Sequence, residues 1–331
     1  MNCKIIHGQQ LTKEFQVNTG VRQGCLLSPL LFLLAIDWVM KTTTAQGRNG
    51  IQWKLWSQLD DLDFADDLAL LAHTQQQMQA KTNLLTEQFA KVGLRININK
   101  TKVLRIKAEN QSPIMAGGVP LGEVDKFTYL GSIVDLKGGA DADIKVRIGK
   151  ARSTFKRMKN VWNCSSLKKK TKIRIFNSTI KPVLLYGSET WRMNAGPIKK
   201  VQSFINTCLR RIMKIHWPER ISNDELWNRT RQRPVRDDIT ERKWRWIGHT
   251  LRKQESSITR QALTWNPQGS RNRGRPSNTW RRDVEKEARA MGLTWGEVAR
   301  LAQDRNAFRN VVSGLCPPLD AQYVNNFQVL A

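Results

Sequence analysis

The sequence predicts an α+β fold, with short strands in the first 140 residues and amphipathic helices after them. Three observations carry this. Apolar alternations punctuated by Gly, Asn and Asp recur as far as Asp135. Apolar residues at 3.6-residue spacing dominate from Asp141 onward. The charge also changes character there. Residues 1–140 hold 15 basic and 12 acidic side chains, and residues 141–331 hold 40 and 16. A chain of 331 residues has room for two domains with sizeable cores. Lys137-Gly138-Gly139-Ala140 is the natural boundary.

In chain order, Lys4-Ile5-Ile6 and Glu14-Phe15-Gln16-Val17 bracket a turn at His7–Gln10 and read as a hairpin. Gly20 and Gly24 then bracket a loop in which the backbone can approach a ligand closely. Ser28 is placed to cap a helix with Pro29 at its first position. That helix, to about Lys41, is apolar nearly all round and is expected to be buried. Gly47, Asn49 and Gly50 make a turn. Gln58–Asp63 and Leu68–Ala72 flank Phe64-Ala65-Asp66-Asp67 and read as a second hairpin. Its strands are expected to be buried, and its aspartates to accept the positive φ of the tight turn.

Thr74 caps a helix from His73 to Val92, with Met78, Leu85 and Phe89 on one face and Gly93 ending it. Leu94 to Lys107 alternates about Asn99-Lys100-Thr101 as a third hairpin, and Val124 to Asp135 is strand-like. Asp141 to Asn163 is one long helix with an apolar stripe from Ile144 to Trp162. Its other faces carry Lys145, Arg147, Arg152, Lys156 and Lys159. A helix follows Lys168-Lys169-Lys170 and ends near Pro182. Lys199–Lys214 is helical and basic, and Pro234 opens another helix. Residues 266–277 are an Arg/Gly/Pro linker. Two short helices close the chain, the second starting with a capping-box spacing at Thr294–Glu297.

The formal charge of +27 suits a polyanionic partner, and nucleic acid is the commonest one. The five cysteines are scattered, without a CxxC pair or Cys/His cluster, so no disulfide framework or zinc site is indicated. No signal peptide is visible. The longest apolar run, Leu26 to Met40, is too short to span a bilayer. These features point to an intracellular chain, cytoplasmic or nuclear, with no membrane partner. The tryptophans read mainly as buried anchors. Five carboxylates within eight residues (Asp60, Asp61, Asp63, Asp66, Asp67) suit either a solvated acidic turn or a hard-cation site.

Four segments stand in order: Gly20-Val21-Arg22-Gln23-Gly24-Cys25-Leu26-Leu27-Ser28-Pro29, Phe64-Ala65-Asp66-Asp67, Gly93 to Lys102, and Phe127-Thr128-Tyr129-Leu130-Gly131. Together they resemble motifs B, C, D and E of the reverse transcriptases of non-LTR (LINE-type) retrotransposons. Trp244-Arg245-Trp246-Ile247-Gly248-His249 and Arg273-Gly274-Arg275-Pro276 resemble the tail of such element polyproteins. The resemblance implies a partial polymerase palm over 1–136, a helical thumb-like region over 141–215 and a basic helical C-terminal region over 216–331. It implies an RNA-directed DNA polymerase that takes an RNA template, a DNA primer and deoxynucleoside triphosphates, with two Mg2+ ions.

By the same resemblance, Asp66 and Asp67 would hold metal, and Lys100 or Lys102 would serve the leaving pyrophosphate. Arg22, Gln23 and Gly24 would lie at the incoming nucleotide. Phe127, Tyr129 and Gly131 would form the primer grip. The basic faces (Lys145, Arg152, Lys156, Lys159) and linker (Arg273, Arg275) would bind nucleic acid. One departure stands out. The family's first catalytic aspartate lies upstream of motif B, and the acid preceding Gly20 here is Glu14, without the expected context. The expectation is therefore a truncated C-terminal fragment, inactive by itself. The alternative is a non-catalytic basic nucleic-acid-binding remnant.

Overall fold

Strands of two to four residues fill the first part of the chain, because its apolar runs are short and broken by Gly, Asn and Asp. The computed structural model describes all residues except 1, 18–19, 22–23, 46–48, 54–56, 107, 109, 111, 137, 217, 266–278 and 316–331. The chain divides into two units, Met1–Leu130 and Gly131–Ala331. The first mixes strands and helices and the second is mostly helical, an α+β composition as expected.

In the first unit, β1 (Asn2–Cys3) pairs with β4 (Phe15–Gln16), and β2 (Ile6–His7) with β3 (Gln10–Leu11), so the opening hairpin is nested. Helix α1 (Ser28–Thr44) follows. Leu27, not Ser28, stands at its N-cap, and Ser28 is already the first helical residue. Its predicted burial is the larger error. Ile36, Val39 and Met40 are buried, but Leu30, Leu31, Leu33, Leu34 and Trp38 are each about half exposed. One stripe of α1 packs on α2 (Gln75–Lys91) through Leu85 and Phe89. In the described residues nothing covers the rest.

Strand β5 (Ile51–Gln52) pairs antiparallel with β6 (Gln58–Leu59). A Cβ at Gly50 would lie 2.5 Å from the Leu59 carbonyl oxygen, so the residue before β5 must be glycine. The acidic hairpin is β7 (Asp61–Phe64) against β8 (Asp67–Leu70). Thr74 and Gln77 form the capping box of α2, and Gly93 ends it at φ +74°.

The third expected hairpin does not form. Asn97 closes a turn instead, its carbonyl accepting from the backbone N–H of Lys100 and Thr101 and from the Thr101 hydroxyl. β9 (Lys102–Val103) consequently meets a later segment, pairing parallel with β12 (Gly122–Glu123). Between them β10 (Met115–Ala116) and β11 (Val119–Pro120) make a small hairpin over a second core of Ile114, Ala116 and Leu121. The stretch expected as one strand is two, β13 (Lys126–Tyr129) and β14 (Ser132–Asp135). The break is at Leu130 and Gly131, both left-handed at φ +47° and +80°.

In the second unit, α3 (Asp141–Arg157) stops five residues before the expected end of the apolar stripe, and α4 (Lys159–Asn163) carries Trp162 back onto it. The Trp162 indole donates to the Phe155 carbonyl at 2.8 Å and stacks on the Phe155 ring at 4.9 Å. That local contact outcompetes a straight helix. Arg147 is not on a polyanion-facing surface. It is buried, donates to the Gly131 carbonyl, lies 3.6 Å from Asp143 and sits 4.3 Å over the Tyr186 ring. After α5 (Lys169–Ile175), a π-helical turn over Phe176–Ile180 lets the chain pass Pro182 into α6 (Lys181–Leu184), past the expected stop. Helix α7 (Ala195–Met213) buries Ile198, Val201, Ile205, Leu209 and Ile212 in the main core, each worth about 1.5–3 kcal/mol. A helix the pattern did not suggest, α8 (Asn223–Thr230), is capped by Ser222.

Helix α9 (Val235–Leu251) opens at Pro234 and begins a second core. After α10 (Ile258–Ala262), the remaining helices are α11 (Trp280–Ala290), α12 (Trp295–Leu301) and α13 (Arg305–Leu315). The expected last helix is thus two, interrupted where the Asp304 carboxylate accepts from the N–H of Asn306 and Ala307. The tail motif explains itself here. Trp244 is buried and donates to Glu287, which also accepts from the fully buried Lys243. Trp246 meets Trp280 edge-on. A Cβ at Gly248 would lie 2.4 Å from the Phe308 ring, so glycine is what admits α13 against α9.

Candidate active-site hairpin

The hairpin's chemistry follows from its register. Phe64 faces Asp67, and Asp63 faces Leu68. Cross-strand partners share a face, so Asp61 and Asp63 lie with Leu68 and Leu70, while Asp67 lies with Leu62 and Phe64. Leu68 and Leu70 pack on the α1–α2 core. Burial accordingly pushes the Asp61 carboxyl up, Asp63 adds to it, and Lys81 opposes it. Asp66 and Asp67 are exposed at the tip. The strands carrying them are partly exposed, not buried as expected, because the described residues supply β7 and β8 with no third strand.

The turn places its strain on an unexpected residue. Ala65, not an aspartate, holds the left-handed backbone at φ +56°. A non-glycine residue there costs about 1–2 kcal/mol. The hairpin's base compensates with a latch. Lys81, projecting from α2, is almost fully buried and lies 2.6 Å from the Asp60 carboxylate. Its ammonium also donates to the Asp60 and Leu71 carbonyls, at 2.9 and 2.8 Å. Lys81 escaped the sequence reading, although its spacing from Met78 and Leu85 puts a lysine on the buried face of α2. A cation there beside five carboxylates was the available signal.

The motif E segment meets this hairpin. The Tyr129 hydroxyl donates to the Leu62 carbonyl at 3.1 Å. Burial first, then Asp63, Asp67 and Asp61, push its pKa up, so the phenol stays protonated and a donor. Phe127 is half-buried on the same strand. Gly131 lies in the second unit, its carbonyl taken by Arg147. Lys100 and Lys102 are exposed, Lys102 on β9 beside Gly122. Gly24 is exposed at φ +86° with open space around it. Arg22, Gln23, Arg273 and Arg275 lie outside the described residues. Lys145, Arg152, Lys156 and Lys159 are all exposed in the second unit.

Residues 1–134 match the reverse transcriptase (RNA-dependent DNA polymerase) family, and residues 154–186 match a domain family of unknown function. An uncharacterized transposon-derived protein of Caenorhabditis elegans is 28% identical over 267 residues, covering 77% of this chain and 95% of that protein. The Pol polyprotein of the type-1 retrotransposable element R2 of Popillia japonica is 24% identical over 62% of this chain and 29% of its own length. An RNA-directed DNA polymerase from the X-element transposon of Drosophila melanogaster is 24% identical over 62% of this chain and 23% of its own. The first part of the chain is thus a reverse transcriptase domain. Its ordered motifs and these relatives make the chain similar to the reverse transcriptases of non-LTR retrotransposons. It spans between 19% and 35% of the length of the insect proteins it matches.

This family is generally magnesium-dependent. Among the described residues, no group of three or more His, Cys, Asp or Glu side chains is arranged to hold a metal ion. Asp66 and Asp67 offer exposed carboxylates, but the register turns Asp61 and Asp63 to the other face from Asp67. The donors present do not fit a complete two-ion centre. No helix among the described residues is long and apolar enough to cross a membrane.

Proposed function

We propose that this chain contributes the motif C hairpin and the nucleic-acid-holding surfaces of an RNA-directed DNA polymerase, acting on an RNA template, a DNA primer and deoxynucleoside triphosphates. Asp66 and Asp67 form one carboxylate arm, and chemistry needs a second arm from outside the described residues. Arg22, Gln23 and Gly24 meet the incoming nucleotide, and Lys100 and Lys102 face its phosphates. Phe127, Tyr129 and Gly131 position the primer end. The region 141–215 acts as the thumb, with Lys145, Arg152, Lys156 and Lys159 toward the backbone phosphates, and 216–331 is a further basic nucleic-acid-holding region.

The observation that most supports this reading is the Tyr129–Leu62 hydrogen bond, which ties the motif E strand to the acidic hairpin across 67 residues of sequence. The test is primer extension. The 331-residue chain alone is expected to bind a primed template and not extend it in magnesium. Extension by the chain alone, lost in Asp66→Asn, would overturn the incomplete-site reading.

A further inference from the structure

A second charged site lies in the second unit, far along the sequence from the motifs. Helices α9 and α13 face one another across a cleft of about 450 Å³. Its rim carries Arg245 from α9, Arg252 at the C-cap of that helix, and Arg305 and Arg309 from α13. The first pair is two helical turns apart and the second one turn apart, so each pair shares a face. Phe308 and Val312 line it as well, and both are buried. The one carboxylate in the lining, Glu241, is already engaged by Arg233 and Arg245. Arg252 donates to the Ala302 carbonyl at 2.8 Å, which fixes one guanidinium in place. Arg305 and Arg309 are exposed and have no ion-pair or hydrogen-bond partner among the described residues.

Like charges gathered with so little compensation are unfavourable unless an anion joins them, and apolar walls weaken the screening that would otherwise excuse them. Guanidinium forks match phosphate oxygens in paired hydrogen bonds. We infer that the α9–α13 cleft binds the phosphodiester backbone of a nucleic-acid strand, with Arg305 and Arg309 as its principal contacts. The inference rests on the nucleic-acid reading above. It also gives Gly248 a purpose, since the close seating of Phe308 on α9 sets the distance between the two arginine rows.

The test is fluorescence anisotropy of a labelled single-stranded oligonucleotide with the full chain and with Arg305→Ala/Arg309→Ala. Both side chains are exposed, so the variant should fold, which a melting curve checks. Losing two phosphate contacts should flatten the slope of log affinity against log salt by about 1.4 and weaken binding roughly tenfold at 0.15 M salt. A matched loss of charge in the first unit, Lys41→Ala/Lys91→Ala at two exposed positions, should change affinity less than about twofold. Equal losses from both variants, or none from the arginine pair while the parent binds, overturn the cleft alone. Failure of the parent chain to bind any oligonucleotide at low salt overturns the nucleic-acid reading itself. Calorimetric titration with inorganic phosphate separates a free-phosphate site. Phosphate binding lost in the arginine variant, with oligonucleotide affinity unchanged, also refutes the inference.

Discussion

Replacing Lys81 by methionine should release the base of the acidic hairpin. The substitution keeps an unbranched side chain one atom shorter and removes its charge and donors. It leaves the Asp60 carboxylate without its cation at 2.6 Å and the Asp60 and Leu71 carbonyls without the ammonium. Breaking one side of a buried ion pair costs about 3–5 kcal/mol. Asp60 retains 19% side-chain exposure and can recruit water, which places the cost near the lower end. About 3 kcal/mol corresponds to roughly a hundredfold in an opening equilibrium, at 1.4 kcal/mol per decade. Amide hydrogen exchange read by mass spectrometry over residues 58–72 reports that opening, because the Leu71 N–H donates to the Asp60 carbonyl inside the latch. Peptides from α7 serve as the unaffected reference. Protection within about threefold of the parent would refute the reasoning, since it falls far below the predicted cost. Adding Asp60→Leu to Lys81→Met should recover part of the loss, because the larger component is an uncompensated buried charge.

Ala65→Gly should stabilise the hairpin by about 0.5–1 kcal/mol, the relief of left-handed strain less glycine's extra chain entropy, seen as two- to fivefold greater protection of the same amides. Weaker protection would mean that φ +56° at Ala65 is unstrained. Asp61 gives a pH signature. Its folded pKa is raised by burial, then by Asp63, so the folded unit holds the proton more tightly than the unfolded chain. That contribution is fully present below about pH 4, the unfolded carboxylate value, and is lost as pH rises through the raised folded value. Asp61→Asn should therefore flatten the fall in urea midpoint of the first unit above about pH 4, and an unchanged profile would remove Asp61 from the account.

Much of this was legible in the residues. Thr74 and Gln77 announce α2, Gly93 ends it, and Thr294–Glu297 begins a helix as its spacing says. The acidic hairpin was readable because its apolar flanks meet at a short acidic step. Other features depended on partners that local pattern cannot reveal. A helix apolar all round implies burial only where something covers every face, and α1 is covered along one stripe. The stripe from Ile144 to Trp162 keeps helical period across a break, since Trp162 reaches the same core by folding back on Phe155. Arg147 looked like surface charge because its partners, Tyr186 and the Gly131 carbonyl, lie outside its helix. At the candidate site the motif aspartates were recognisable. The positive φ at Ala65 and the Lys81 latch are tertiary facts with only a faint trace in the sequence.

Gly248 carries a consequence for how such a chain ages under mutation. Every base change that substitutes another residue for glycine adds at least a β-carbon, and here that atom would arrive 2.4 Å from a buried phenyl ring. The arginine rim can erode one codon at a time, each loss blunting the field without moving a helix. The glycine has no intermediate grade. In copies drifting without selection, the joint between α9 and α13 should fail at a single step, while the charges that depend on it still read as intact.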